Sequence, residues 1–241
     1  MTRHPAALVT LLVTGLLAIG ATTADAQLVD EVREKLRGER DLRQLEVSVT
    51  ASEALLSGEL RNFWLKHQAI ERALEVEGIE TVASEIVIPP PESDQELAEK
   101  VAEEVQDYPY YTLFDYLDGL VNNGVVTLMG RVTPDRDKAG EIFERVAKID
   151  GTQDVRNEIR SLTPSNADRN LRRAIAQQIF RSPDFERFAI DRNPPFRVVV
   201  ERSVVTLVGW VQGEIERRQM EQIARQTQGV LRVINELQTF Q

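Results

Sequence analysis

The chain has 241 residues, of which 39 are acidic and 29 basic, and its net charge is −10. This length predicts one or two domains. The negative charge argues against nucleic-acid binding, because most of that affinity comes from neutralising phosphates. The absence of cysteine excludes disulfides, thiolate metal sites and a cysteine nucleophile.

The first 26 residues have the features of a secretory signal peptide. Arg3 and His4 precede an uncharged apolar stretch at 6–20, and Ala-Asp-Ala at 24–26 is a small-residue cleavage site. We expect cleavage after Ala26 and a periplasmic or secreted protein. The alternative is an uncleaved membrane anchor, although the apolar stretch is shorter than the roughly 20 residues that a spanning helix needs.

The rest of the chain repeats one pattern three times. A glycine two residues after a leucine is followed 20 or 21 residues later by a second glycine, and then by a valine at a fixed offset. The glycine pairs are Gly58 and Gly78, Gly130 and Gly151, and Gly209 and Gly229. Two residues after the valine lies Asn157 in the second copy, Asn235 in the third and Ser84 in the more divergent first copy. Such self-similarity predicts tandem copies of one structural unit.

Each copy predicts the order helix, strand, strand, helix, strand. Helical spacing of apolar residues predicts leading helices at 28–37, 94–107 and 167–181. In the second copy a hairpin turns near 122–124, where Asn-Gly supplies the positive φ of a tight turn, whereas the first copy has no glycine there. We expect the next helix of the second copy to begin with Thr133 as N-cap and Pro134 in its first turn.

This pattern predicts an α+β fold of three tandem αββαβ modules, each a small sheet covered by two helices. We place the modules at 27–88, 92–163 and 166–241, because the intervening Pro-rich and Ser/Asn/Asp-rich stretches are typical of joints. The repeated glycines and asparagines are interpreted as residues that specify the fold. Because about 65 residues bury little surface alone, we expect the modules to pack on each other.

No pattern of catalytic residues is present. After the leader the only histidine is His67, and there is no nucleophile elbow, phosphate-binding loop or histidine pair. We therefore expect no catalysis, no cofactor and no metal. The acidic stretch at 96–107 is interpreted as a solvated helix face, with a surface for divalent cations as the alternative.

Two stretches are candidate contact surfaces. Five aromatic residues lie within 108–116, among them Tyr110 and Tyr111, and these serve either core packing or an interfacial patch. The segment 168–202 has eight arginines against five acidic residues. Its helical arginines are Arg172, Arg173 and Arg181. They form either a solvated face with local salt bridges or a docking face for lipid phosphate, to which Trp210 would add an interfacial contact if it points outward.

The element order, the stretch "GVVTLMGRV" at 124–132, the glycine spacing and the Val-x-Asn motif together resemble the BON domain. The resemblance covers nearly the whole chain after the leader and is closest in the second and third copies. It implies an αββαβ fold, a bacterial cell-envelope setting, and a role in binding phospholipid membranes or supporting envelope integrity under stress, without catalysis.

Three hypotheses of function follow. The first is an exported, non-enzymatic envelope protein that binds phospholipid surfaces peripherally. The second is a periplasmic protein–protein interaction scaffold, whose tandem modules gain affinity by multivalency. An enzyme, or an accessory domain of one, is the third.

Overall fold

Three separate three-stranded sheets follow one another along the computed structural model, which describes residues 23–240. The helices are α1 Thr23–Leu36, α2 Phe63–Leu74, α3 Asp94–Gln106, α4 Lys138–Ala147, α5 Asn166–Arg181 and α6 Glu214–Gln226. The strands are β1 Glu46–Thr50, β2 Glu53–Glu59, β3 Thr81–Val87, β4 Tyr116–Asn122, β5 Val125–Val132, β6 Asp154–Ser161, β7 Phe196–Glu201, β8 Val204–Val211 and β9 Arg232–Thr239. Module 1 runs from α1 to β3, module 2 from α3 to β6, and module 3 from α5 to β9.

All three modules have the same sheet. The first strand pairs antiparallel with the second, and the second pairs parallel with the third after a helical crossover. The predicted α+β fold and its αββαβ order are therefore confirmed. The expected signal peptide lies almost wholly outside the described residues, and residues 23–26 form the first turn of α1.

The three hairpins share a two-residue turn in the left-handed region. Module 2 has the predicted Asn123 and Gly124, with φ of 50° and 74°. Modules 1 and 3 place non-glycine residues there, at 51–52 and 202–203, with φ between 49° and 68°. The first hairpin thus forms without glycine, although the left-handed region costs an ordinary residue roughly 1 kcal/mol.

An aspartate at the start of the leading helix holds this turn. The Asp94 carboxylate accepts the backbone N–H groups of Asn123 and Gly124 at 2.7 and 2.8 Å. In module 3 the buried Asp168 accepts both turn N–H groups, from residues 202 and 203, at 2.9 Å. We call this arrangement the turn clamp. It joins the helix to the hairpin in two modules.

The motif asparagines tie the last strand to the helix before it. The Asn157 amide donates to the Ala139 carbonyl at 3.0 Å, and the Asn235 amide donates to the Arg217 carbonyl at 3.2 Å. In module 1 the Ser84 hydroxyl only accepts the N–H of residue 86, at 3.4 Å. The divergent copy therefore lacks this link.

Three of the six motif glycines, Gly130, Gly151 and Gly209, stand where a Cβ would collide with backbone, whereas the other three have leucine side chains as their nearest neighbours. A Cβ added to Gly130 would overlap the Tyr116 carbonyl oxygen on the neighbouring strand. Gly151 lies in the turn that follows α4, with φ of 88°, and a Cβ there would lie 2.9 Å from the Pro91 Cα of the joint between modules 1 and 2. These glycines therefore serve strand and joint packing.

One predicted helix start is wrong. α4 begins at Lys138, not at Pro134, and its N-cap is Asp137, whose carboxylate accepts the Gly140 N–H at 3.0 Å. Thr133 does not cap the helix, because its N–H and hydroxyl both donate to the buried Asp115 carboxylate, at 2.7 and 3.0 Å.

Modules 1 and 2 pack together as expected. The Gly151 N–H donates to the Arg61 carbonyl at 3.0 Å, and the Asn62 amide donates to the Lys148 carbonyl at 3.0 Å. Phe63 and Trp64 of α2 pack against the core of module 2. Contacts of backbone and aromatic side chains thus fix this joint.

Modules 2 and 3 share a core. Leu113, which precedes β4, is buried among the apolar residues of module 3. Its carbonyl accepts the Val198 N–H at 2.8 Å, so the segment adds to the free edge of β7.

Loss of the turn clamp should destabilise module 3 more than module 2. Asp168→Ala leaves two partly buried N–H groups unpaired in a turn of two strained non-glycine residues, and we expect a loss of about 1–3 kcal/mol. Asp94→Ala should cost less, because Gly124 adopts its φ without strain. Hydrogen exchange of the hairpin amides measures both. The exposed Asp184→Ala is the control, and equal losses in the two clamp variants would contradict the argument.

The Asn235 link should have a pH-dependent contribution to stability. Its amide also donates to Glu221 at 2.9 Å, and this bond, with the Arg225 guanidinium, holds the pKa of Glu221 below its usual range. A lowered carboxyl pKa contributes stability at neutral pH, which is lost as the pH falls through that pKa. Asn235→Ala should therefore cost about 1 kcal/mol at pH 7 and less at about pH 3.5, by urea unfolding.

Asn157→Ala is the matched control for this measurement. Asn157 donates to a backbone carbonyl and to no carboxylate in the described chain, so its cost should not change over the same pH interval. A cost of Asn235→Ala that is equally constant would show that Glu221 plays no part.

Candidate functional site

In the structure Arg172 does not contribute to the predicted docking face. Its side chain is buried, with 5% exposed, and its guanidinium donates to the Val200 carbonyl at 2.8 Å. Burial lowers the pKa of Arg172, and the charge of Asp168 opposes that shift. This arginine packs between α5 and β7 and is not available to a lipid phosphate.

Arg173 and Arg181 are exposed on α5. Neither forms an ion pair with any of residues 23–240. Arg169, which the sequence reasoning did not single out, lies one turn before Arg173, is exposed and is equally unpaired. Arg169, Arg173, Gln177 and Arg181 are spaced four residues apart, which places them along one face of the helix. We call this set the α5 arginine row.

Apolar side chains border the row. Arg173, Arg181, Phe114, Ala176 and Phe180 line one shallow groove, and the two phenylalanines are partly buried against the core of module 3. Two cations therefore lie beside an apolar patch.

The aromatic segment serves mainly the core. Tyr108 and Tyr111 are buried, with 2% and 7% exposed, so Tyr111 serves core packing and is not a candidate surface contact. Burial, with the hydrogen bond from its hydroxyl to Glu141, raises the pKa of Tyr108. Tyr110 is exposed, but the Arg136 guanidinium lies 3.5 Å from its ring centre and covers one face.

Trp210 points outward as proposed, but it lies apart from α5. It is 43% exposed and stacks on Phe240, with 5.4 Å between ring centres. Gly209 and Val211 flank it in β8, and Val211 belongs to the core face that α5 and α6 cover. By strand alternation Trp210 is therefore on the opposite face of the sheet. One flat membrane surface cannot contact both the row and this tryptophan.

His67 packs in the joint between modules 1 and 2. Its ring centre lies 5.8 Å from that of Phe143, edge to face, and 6.1 Å from that of Phe63. In residues 23–240 no three His, Asp or Glu side chains are placed to hold a metal ion. The same range contains no helix of the length and apolar character needed to cross a bilayer.

A groove of about 530 Å³ runs along the edge of module 2. One side is formed by Ala98, Val101, Ala102 and Val105 of α3, and the other by the consecutive residues 116–121 of β4. Residues 193–195 and Arg197 of module 3 close one end. Sequence reasoning did not find this groove.

Comparisons with known proteins agree with the repeats. The family model described as the BON domain matches residues 24–90, 93–162 and 167–239. A comparison with curated protein sequences finds no match.

Among solved structures the chain is similar to CdsD, a structural protein of the type III secretion system of Chlamydia trachomatis. A structure of its C-terminal domain is 12% identical with a TM-score of 0.25, and the match covers 89% of this chain and 98% of that one. A second CdsD structure has the same identity and TM-score, with 89% and 94% covered. The three BON matches together span most of the sequence, and the chain belongs to the BON domain family.

Proposed function

We propose that this protein is an exported, non-enzymatic component of the bacterial cell envelope that binds anionic phospholipid surfaces peripherally. In this role it would support envelope integrity under stress. Its membership of the BON family supports a role at the cell envelope. The α5 arginine row is the surface that we propose to contact the lipid headgroups.

The row has the chemistry that an anionic membrane surface requires. Arg173 and Arg181 are two turns apart, about 12 Å along the helix axis, so both can reach headgroup phosphates at once. Each basic residue near such a surface contributes about 1 kcal/mol. Because the two arginines have no carboxylate partners in the described chain, binding phosphate breaks no ion pair.

The negative charge of the whole chain disfavours most of its surface as a contact for anionic lipid. The chain carries a net charge of −10 and is repelled as a whole by anionic lipid. Attraction should therefore be strongest at the row, where Phe114 and Phe180 offer apolar surface beside the cations. The protein should lie on the headgroups with α5 facing the membrane.

Reversing the charges of Arg173 and Arg181 should abolish binding to anionic vesicles. In flotation with phosphatidylglycerol vesicles, we expect Arg173→Glu with Arg181→Glu to reduce the bound fraction by more than about tenfold. Binding of the unaltered protein should weaken as salt rises, because salt screens exposed charges.

Arg156→Glu with Arg160→Glu is the matched control. These two arginines are exposed on β6 of module 2, and the change in net charge is the same. The control should still bind. Equal loss in both variants would indicate a net-charge effect, and unchanged binding in the row variant would exclude the row. Salt-resistant binding would implicate Trp210 and Phe240.

A further inference from the structure

The groove beside β4 exists because one core side chain is missing. Gly119 lies opposite Leu128 in the sheet of module 2. The matching leucines, Leu56 and Leu207, lie opposite Val47 and Val198 in the other two modules. Both valines are buried in their cores, so module 2 alone has no side chain at this position.

The backbone conformation of Gly119 does not require glycine, and its surroundings would be tight for a side chain but do not block one. Its φ is not positive, and an added Cβ would lie 3.3 Å from the Thr127 carbonyl oxygen and 3.9 Å from Leu128. A valine fits the same position in both sister modules. The sheet could therefore accept a side chain here if the Thr127 carbonyl oxygen shifted by a few tenths of an ångström.

The groove also has free backbone groups along its length. β4 is an edge strand, and its turn pairs residue 122 with residue 125, so Leu117, Gly119 and Val121 direct their N–H and C=O groups away from β5. The N–H of Gly119 is held by the Asp118 carboxylate at 2.8 Å. The N–H groups of Leu117 and Val121 have no partner among residues 23–240.

Module 3 shows what fills the equivalent edge. Val198 occupies the position of Gly119, and its outward N–H donates to the Leu113 carbonyl. The side chain of Leu113 enters the core of module 3 at that edge. The chain itself thus covers part of one such edge with an apolar turn, residues 112–115, through one backbone hydrogen bond, and leaves the corresponding edge of module 2 open.

The polar groups of the groove also favour a peptide over an acyl chain. Asn193 lines the groove, and its buried Oδ1 has no hydrogen-bond partner in the described chain, so it could accept a peptide N–H only after a side-chain shift exposes it. The Arg197 guanidinium is already engaged by the Tyr111 hydroxyl at 3.1 Å and the Pro194 carbonyl at 2.6 Å. Arg197 is the only cation among the lining residues, and although it forms no ion pair within the described part of the chain, these two hydrogen bonds hold its guanidinium against the protein.

We propose that module 2 binds an extended segment of a partner protein by strand addition to β4, with an apolar side chain in the space left by Gly119. Main-chain hydrogen bonds would supply affinity, and the Gly119 space would select a valine- or leucine-sized residue. Asp118 and the exposed Glu99 of α3 favour basic residues at the ends of that segment. This site is independent of the α5 arginine row.

The test uses fluorescein-labelled heptapeptides in which valine or leucine alternates with threonine between terminal lysines. Fluorescence anisotropy measures binding, and amide NMR shifts locate it. We expect binding with shifts at Leu117, Gly119 and Val121. In Gly119→Val the affinity should fall by at least about tenfold, because the filled space excludes the anchoring side chain, while the melting temperature should not fall.

Thr127→Val is the matched control, since it adds the same side chain to the neighbouring strand, opposite Leu120 on the other face of the sheet. It should bind the peptides as the unaltered protein does. Equal binding in Gly119→Val, or no binding of any peptide in the panel, would overturn the proposal. Displacement of bound peptide by lysophosphatidylcholine, together with loss of lipid binding in Gly119→Val, would identify an acyl site instead.

Sedimentation of the unaltered protein tests whether a second copy of this chain occupies the groove. A dimer that is lost in Gly119→Val would mean that another molecule of this chain, and not a partner protein, occupies the groove. A monomer supports the proposal. Vesicle flotation separates the two sites. Gly119→Val should float as before, and the double reversal of Arg173 and Arg181 should still bind peptide.

Discussion

The carboxylate of Asp115 holds together the parts of the structure from which both candidate surfaces are built. It is fully buried and accepts hydrogen bonds from the N–H and hydroxyl groups of Thr112 and Thr133 and from the Lys138 ammonium, all between 2.7 and 3.0 Å. Removing one partner of a buried ion pair costs about 3–5 kcal/mol, because the remaining charge is left unsolvated. This one group therefore fixes the start of β4, the loop before α4 and the segment that carries Leu113 into module 3.

Such a shared element compensates for the small size of each module. A unit of about 65 residues cannot bury enough apolar surface for much stability by itself. Module 3 completes its core with Leu113, and module 2 receives Phe63 and Trp64 from α2. The three modules are thus linked in series, and a disturbance at either joint reaches two cores.

Much of this architecture could be predicted from the sequence, because glycines and the motif asparagines mark backbone requirements that are local. The strand glycines, the helix-ending glycines and the Asn123–Gly124 turn all lie where the repeat placed them. Contacts between distant parts of the chain could not be predicted. Thr133 has the sequence features of an N-cap, but a carboxylate 18 residues earlier takes its hydroxyl, and Arg172 and Arg173 are adjacent yet differ in burial because helix phase separates them. The role of Gly119 requires the strand register of all three modules, since the glycine by itself is unremarkable in a polar hairpin.

The contact of Leu113 with the edge of β7 also has a consequence for the order in which the molecule can form. A chain emerges N terminus first, from a ribosome or from an export channel, and residues 111–115 precede β7 by more than 80 positions. When the hairpin of module 3 appears, the segment that covers its edge has already been made and anchored by Asp115. Exposed strand edges are the usual templates for intermolecular pairing. Vectorial synthesis therefore protects the last sheet from aggregation at the moment when a newly formed hairpin is most vulnerable.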